Sequence, residues 1–113
     1  MVDIFKALGD ESRLRILNIL VNDTVCVCQL EGGLGLSQTN VSRHLLKLKS
    51  AGLVISSRKA QWIYYEVNVE VFNGYPGLME CLQIEFSNDD RYTEDKNKYF
   101  EIKNETCEKP GCC

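Results

Sequence analysis

The chain has 113 residues, enough for one domain with a single modest core. Apolar residues make up 44% and charged residues 26%, which excludes disordered and collagen-like chains. The net charge is −3, which on its own argues weakly against a nucleic-acid partner. There is no run of about 18 apolar residues to span a membrane. The start, Met1-Val2-Asp3-Ile4-Phe5-Lys6, lacks the basic-then-apolar pattern of a signal peptide, so the expected location is cytoplasmic. In a secreted domain six cysteines would read as three disulfides; in a reducing cytoplasm they read as metal or redox chemistry.

Ile4, Phe5 and Leu8 fall at helical spacing, and Gly9 closes that first helix. Asp10 is placed to cap a second helix over 11–22, whose Leu14, Ile16, Leu17, Ile19, Leu20 and Val21 make it central to the core. Asn22-Asp23 breaks it. Thr24 is placed to cap a short third helix running to about Gly32, and Gly32, Gly33 and Gly35 then loosen the chain into a turn. Ser37 is a good cap for a fourth helix over 38–50, where Val41, Leu45 and Leu48 form one buried stripe. Ala51-Gly52 stops that helix. Residues 53–58 and 62–67 are rich in β-branched and aromatic side chains and read as a two-stranded hairpin. Val71, Phe72, Leu78, Leu82 and Phe86 predict one long helix, and a further helix is expected around 92–104.

These elements predict a mainly α chain with a β-hairpin, of order ααααββα: a helix-turn-helix with a wing. The division expected is a winged domain over 1–90, serving DNA binding and dimerisation, and a C-terminal extension over 91–113 that ends in cysteines.

The charge is unevenly placed. Residues 37–61 carry Arg43, Lys47, Lys49, Arg58 and Lys59 and no acid, a balance of +5, between flanks of −2 and −6. Phosphate responds to that local field rather than to the net charge. The fourth helix leaves Gln38, Thr39, Asn40, Ser42, Arg43, His44 and Lys47 off its buried stripe. These residues bring the amide, hydroxyl, guanidinium and imidazole groups that read base edges in a major groove. The candidate DNA-binding set is therefore Ser37, Gln38, Thr39, Ser42, Arg43, His44 and Lys47, with Arg58 and Lys59 at the hairpin tip; Lys47, Lys49, Arg58 and Lys59 are the ones expected to meet phosphates rather than bases. An ordinary solvated helix face is the bland alternative, and the basic hairpin tip is what weighs against it.

The chain resembles the ArsR/SmtB winged-helix repressors, which sense metals and metalloids. The resemblance covers roughly residues 4–86. It rests on Lys6-Ala7-Leu8-Gly9-Asp10-Glu11-Ser12-Arg13-Leu14-Arg15-Ile16-Leu17, on Val25-Cys26-Val27-Cys28-Gln29-Leu30, and on the run from Leu34 to Leu45 that contains Ser37-Gln38 and Ser42-Arg43-His44-Leu45. Leu48, Ala51-Gly52-Leu53-Val54 and Trp62-Ile63-Tyr64-Tyr65 complete it. The resemblance implies a homodimer built on the first and fifth helices, repressing at an imperfectly palindromic double-stranded DNA operator. Three positions depart from the family pattern: Ala60 replaces the usual glycine of the wing turn, Gln61 a frequent basic residue, and Glu31 a third cysteine found in some members.

Cys26 and Cys28 are two apart. Within a regular helix they point to nearly opposite sides, so sharing one ion requires the start of the third helix to unwind. Thiolates select soft ions. Trivalent arsenic or antimony favours three thiolates, the third coming from Cys107, Cys112 or Cys113, from either subunit, or from a small thiol. A site in the tail alone is the other arrangement, since Cys112-Cys113 resembles the vicinal pair of some family members. Cadmium, lead or zinc is the alternative effector, zinc through four cysteines. A thiol redox switch or dithiol oxidoreductase is the reading from another class. Cys81, between Leu78 and Leu82, is expected to fill the core. His44, the only histidine, is expected on the exposed side of the fourth helix. The fifth helix has acids but no histidine, which speaks against the zinc site some relatives build there. No catalytic constellation appears: there is no phosphate loop, no nucleophile elbow, and no histidine beside a nucleophilic cysteine.

Overall fold

The structure is a computed structural model that describes residues 1–106, with side chains to residue 103. Its elements run α1 (Val2–Leu8), α2 (Glu11–Leu20), β1 (Val25–Cys26), α3 (Val27–Leu34), α4 (Gln38–Ser50), β2 (Val54–Lys59), β3 (Trp62–Val67), α5 (Val69–Gly74), α6 (Pro76–Asn88) and α7 (Asp90–Thr106). The expected winged order is present, with a short strand added before α3. The long helix expected after the hairpin is divided. Pro76 occupies the first turn of α6, where a missing N–H costs nothing, and the residue before it, Tyr75, leaves the helical region at φ −134°, ψ 69°.

Two caps fix the entry of the core helices. Asp10 accepts a hydrogen bond from the Arg13 backbone N–H at 3.2 Å and starts α2. Ser37 Oγ accepts from the Asn40 N–H at 3.2 Å and starts α4. Between α3 and α4, Gly35 takes φ +67°, and its N–H closes on the Glu31 carbonyl at 2.9 Å. That left-handed conformation turns the chain from one helix into the next at no Cβ cost.

The three strands form one antiparallel sheet of order β1-β3-β2. Val25 pairs with Tyr65 and Cys26 with Tyr64, while Lys59 pairs with Trp62 across the wing turn. Ala60 in that turn has φ +56°. A positive φ at the first of two turn residues is the type II′ pattern, for which glycine is usual. The departure noted in the sequence is thus a strained alanine.

The core gathers Ile16, Leu17 and Leu20 of α2, Leu30 and Leu34 of α3, Val41, Leu45 and Leu48 of α4, and Phe72, Leu82 and Phe86 beyond the wing. Each buried side chain of this size contributes about 1.5–3 kcal/mol. Helix α7 joins the same core: Tyr92, Asp95 and Tyr99 are buried along one face. It lies close against α3. A Cβ on Gly33 would come within 3.0 Å of the Tyr99 Cα, and one on Gly32 within 2.9 Å of the Ile102 side chain. Arg15 of α2 donates from Nε and Nη2 to the Asp95 carboxylate at 2.8 and 2.9 Å, and from Nη2 to the Leu34 carbonyl at 3.0 Å. Asn18, fully buried, donates to the Tyr92 carbonyl at 2.8 Å. The helix expected over 92–104 therefore spans a longer stretch and is tied to α2 and α3 by polar as well as apolar contacts.

Candidate nucleic-acid interface and thiol pair

Helix α4 buries Val41, Leu45 and Leu48 and leaves Gln38, Thr39, Ser42, Arg43 and Lys47 exposed, with Ser37 exposed at its cap. Arg58 and Lys59 are exposed at the wing end of β2. One exposed polar face and one basic hairpin tip therefore belong to consecutive elements. Lys49, expected to meet phosphate, donates to Ser56 Oγ at 2.8 Å and ties α4 to the wing. Arg43 donates to the Asn40 side chain at 3.1 Å, within its own helix. Lys59 sits over the Tyr64 ring at 5.9 Å from its centroid.

His44 corrects the sequence reading. It is 7% exposed, not on the open side of α4. Its position three residues after Val41 and one before Leu45 turns the ring toward α2, where Nδ1 lies 3.4 Å from Arg13 Nη1. Burial lowers the ring's pKa below the usual 6.5, with Asp10 opposing and Arg13, Arg43 and Lys47 adding to the shift. A neutral ring whose Nδ1 accepts from Arg13 is consistent with that direction. Arg13, part of the run that carries the family resemblance, is also a structural bridge. Its Nε donates to the Ala7 carbonyl at 2.6 Å and its Nη2 to the Lys6 carbonyl at 3.4 Å, so one guanidinium joins α1 to α4. No sequence pattern marks that bridge, because its acceptors are backbone carbonyls.

The two cysteines of the Cys-Val-Cys run do meet. Their sulfurs are 3.4 Å apart. The expectation that α3 must unwind for this is corrected. The helix begins at Val27, and Cys26 stands just outside it at φ −105°, ψ 164°, in extended backbone. An extended residue followed by a helical turn brings sulfurs two apart onto one side. Cys26 is held twice, by pairing with Tyr64 of β3 and by a hydrogen bond from its N–H to Gln29 Oε1 at 3.2 Å. In the reduced chain the pair offers two thiolates. Cys107, Cys112 and Cys113 lie outside the described residues. Among the described residues no third His, Cys, Asp or Glu joins the pair. Cys81, expected in the core, is exposed on α6, because Leu82 and Phe86 face inward there instead.

Near the pair, Asp23 accepts from Tyr99 Oη at 3.0 Å and from Lys103 Nζ. Burial opposes ionisation of Asp23, but these two donors outweigh it and hold its carboxyl below the usual range. The loop that delivers Cys26 is thus anchored to α7.

A helix-turn-helix followed by a basic two-stranded wing, with an exposed polar face on its second helix, defines a winged helix-turn-helix protein. Residues 10–56 match the family described as bacterial regulatory protein, arsR family. The solution structure of a homodimeric winged helix-turn-helix domain from Mycobacterium bovis, described as a possible ArsR-family regulator, is 30% identical with a TM-score of 0.64. The similarity covers 74% of this chain and 78% of that one. The chain belongs to the arsR family. Arsenic resistance transcriptional regulator ArsR1 of Pseudomonas putida is 42% identical over 69 residues, 60% of this chain and 54% of that protein. The cadmium resistance regulator CadC of Listeria innocua is 38% identical over 71 residues, 61% of this chain and 60% of that protein. The chain thus spans somewhat over half the length of these curated relatives. No helix among the described residues is long and apolar enough to cross a membrane.

Proposed function

We propose that the chain is a homodimeric transcriptional repressor that leaves its operator when a thiophilic ion, trivalent arsenic first among them, binds Cys26 and Cys28. The observation that carries this reading is the 3.4 Å sulfur pair at the entrance of α3. Two thiolates sharing one ion at about 2.3 Å each must lie within about 4.6 Å of one another, and this pair satisfies that. Arsenite would supply a soft centre that binds thiolate in place of oxygen. The third donor is one of Cys107, Cys112 and Cys113, from either subunit, or a small thiol.

DNA binding is supported by the exposed row Ser37, Gln38, Thr39, Ser42, Arg43 and Lys47 and by Arg58 and Lys59 on the wing. The partner is a double-stranded operator with two-fold symmetry. Dimerisation is supported by the large apolar side chains left open on α1 and α6: Val2 is 66% exposed, Phe5 59% and Ile84 56%. His44 serves as a support behind the reading face rather than as a base contact. The cytoplasm is the location in which a reduced thiol pair and DNA are both present.

The test is titration of a labelled operator with arsenite under reducing conditions. The expected loss of affinity is about 30- to 150-fold, a coupling of about 2–3 kcal/mol. Cys26→Ser and Cys28→Ser keep DNA binding and lose the response. Unchanged affinity at saturating arsenite removes the sensor role. The similarity to a cadmium regulator gives a second reading, cadmium at the same pair. Thiolate-to-metal absorption on adding Cd(II), together with operator release by Cd(II) and not by arsenite, selects it.

A further inference from the structure

Between α1, the start of α2 and the later turns of α4 lies an open cavity of about 660 Å³. Four cationic residues line it, Lys6, Arg13, Arg43 and Lys47, against one carboxylate, Asp3. Lys6, Arg43 and Lys47 make no ion pair among the described residues. Arg13 is held in place by the last carbonyls of α1, those of Lys6 and Ala7. Its guanidinium is thus fixed at the negative end of a helix, Arg43 is tethered to Asn40 within its own helix, and Lys6 and Lys47 remain on adjustable stems. Ala7, Leu46 and Ala51 supply apolar wall between the charges. Low-dielectric walls around charges of one sign concentrate the field, and an excess of three positive charges favours an anion with several acceptor oxygens.

We propose that this cavity binds a phosphate group, and that in the DNA complex it is a backbone phosphate, held by Lys6 and Arg13 from outside the helix-turn-helix. This rests on the DNA-binding reading above. The assignment to DNA comes from Arg43 and Lys47. They belong both to the exposed face of α4 and to the cavity wall, so a strand flanking that helix runs past the cavity mouth. A free phosphorylated molecule would present the same oxygens, and the experiment separates the two.

The probe is a pair of duplexes, operator and random, bound across a range of salt concentrations. Lys6→Gln is expected to weaken binding to both duplexes by the same factor. It also lowers the slope of log K against log salt by about 0.9 per protomer. Asp3→Asn is expected to tighten both. Lys6 and Asp3 are exposed, so both variants keep the fold, which circular dichroism verifies. In a second arm, inorganic phosphate is titrated into DNA-free protein while the Lys6 and Arg13 side-chain resonances are followed. A saturable shift with no effect of Lys6→Gln on DNA overturns the backbone assignment in favour of a free phosphate. An unchanged slope with no saturable shift overturns the site altogether. If the wild-type protein binds neither duplex, the DNA-binding reading fails and the backbone assignment with it, while the phosphate arm still decides the site.

Discussion

The Arg15–Asp95 pair gives the strongest test that α7 belongs to the cooperative unit. The two side chains are 20% and 8% exposed and share a bidentate contact at 2.8 and 2.9 Å. Removing one member of a buried pair costs about 3–5 kcal/mol, because the other charge is stranded. Asp95→Ala strands Arg15, the more exposed member, which also keeps its bond to the Leu34 carbonyl. Water reaches that guanidinium, so the expected loss is nearer 2–4 kcal/mol. Arg15→Met strands the more deeply buried carboxylate and is expected to cost at least as much. The double variant removes both charges, so its loss falls short of the sum by about 1.5–3 kcal/mol. Urea unfolding at one fixed protomer concentration measures all four forms. A coupling below about 0.5 kcal/mol, the size found for exposed pairs, would refute the reasoning. It would mean that α7 detaches before the winged domain unfolds, leaving 1–90 and 91–113 as separate units.

Three further predictions use the same urea assay. Gly33→Ala drives a Cβ into the Tyr99 backbone and is expected to destabilise by about 1–2 kcal/mol after allowance for alanine's helix preference. Gly32→Ala meets only side-chain atoms of Ile102, Cδ1 at 2.9 Å and Cγ2 at 3.0 Å, and is expected to cost less than Gly33→Ala; the reverse ranking would show that α7 does not rest on α3 as described. Ala60→Gly relieves a left-handed alanine worth about 1–2 kcal/mol but loosens the unfolded chain, so a gain of about 0.5–1 kcal/mol is expected, and a loss would refute the strain. The lowered pKa of His44 means that below pH 6.5 the unfolded chain binds a proton the folded chain resists. Stability should therefore fall as pH drops from 6.5 toward the folded value. His44→Gln should flatten that part of the curve, and an unchanged pH profile would count against a neutral buried ring.

Much of the fold was legible because its signals are local. Asp10 and Ser37 mark helix starts, Val41, Leu45 and Leu48 mark a buried stripe, and the run of aromatic and β-branched residues over 62–67 marks a wing strand. The misread features depend on partners distant in sequence. Strand β1 exists because Val25 and Cys26 find Tyr65 and Tyr64, some 40 residues away. His44 is buried where its ring packs toward Arg13 of α2, and helical periodicity alone places it at the edge of the stripe. Cys81 and Leu82 are neighbours on one helix, so a small error in facing exchanges buried for exposed. At the thiol pair the residues were legible and the geometry was not. The sequence locates two cysteines near a helix start, but only the true first residue, Val27, decides whether their sulfurs diverge or meet.

That one-residue difference changes how an effector would act. A ligand shifts an equilibrium only by binding one state more tightly than another. If α3 had to unwind for the sulfurs to meet, the cost of unwinding would itself separate the two states. Here the sulfurs already stand within reach, so the differential must come from what ligation does to their surroundings. Cys26 is paired to β3 of the wing, and Cys28 lies in the first turn of α3. On its other flank α3 is braced by α7, with Gly32 and Gly33 against Ile102 and Tyr99. A pull between the two sulfurs therefore cannot be absorbed by α3 sliding back into the core. It has two outlets: the β1–β3 pairing, which carries the wing, and the Gly35 turn, which sets α4 against α3. Both lead to the elements that carry the exposed polar row of α4 and the basic wing tip. On this argument, weakening the brace behind α3 should reduce operator release by the effector even where arsenite still binds the thiols.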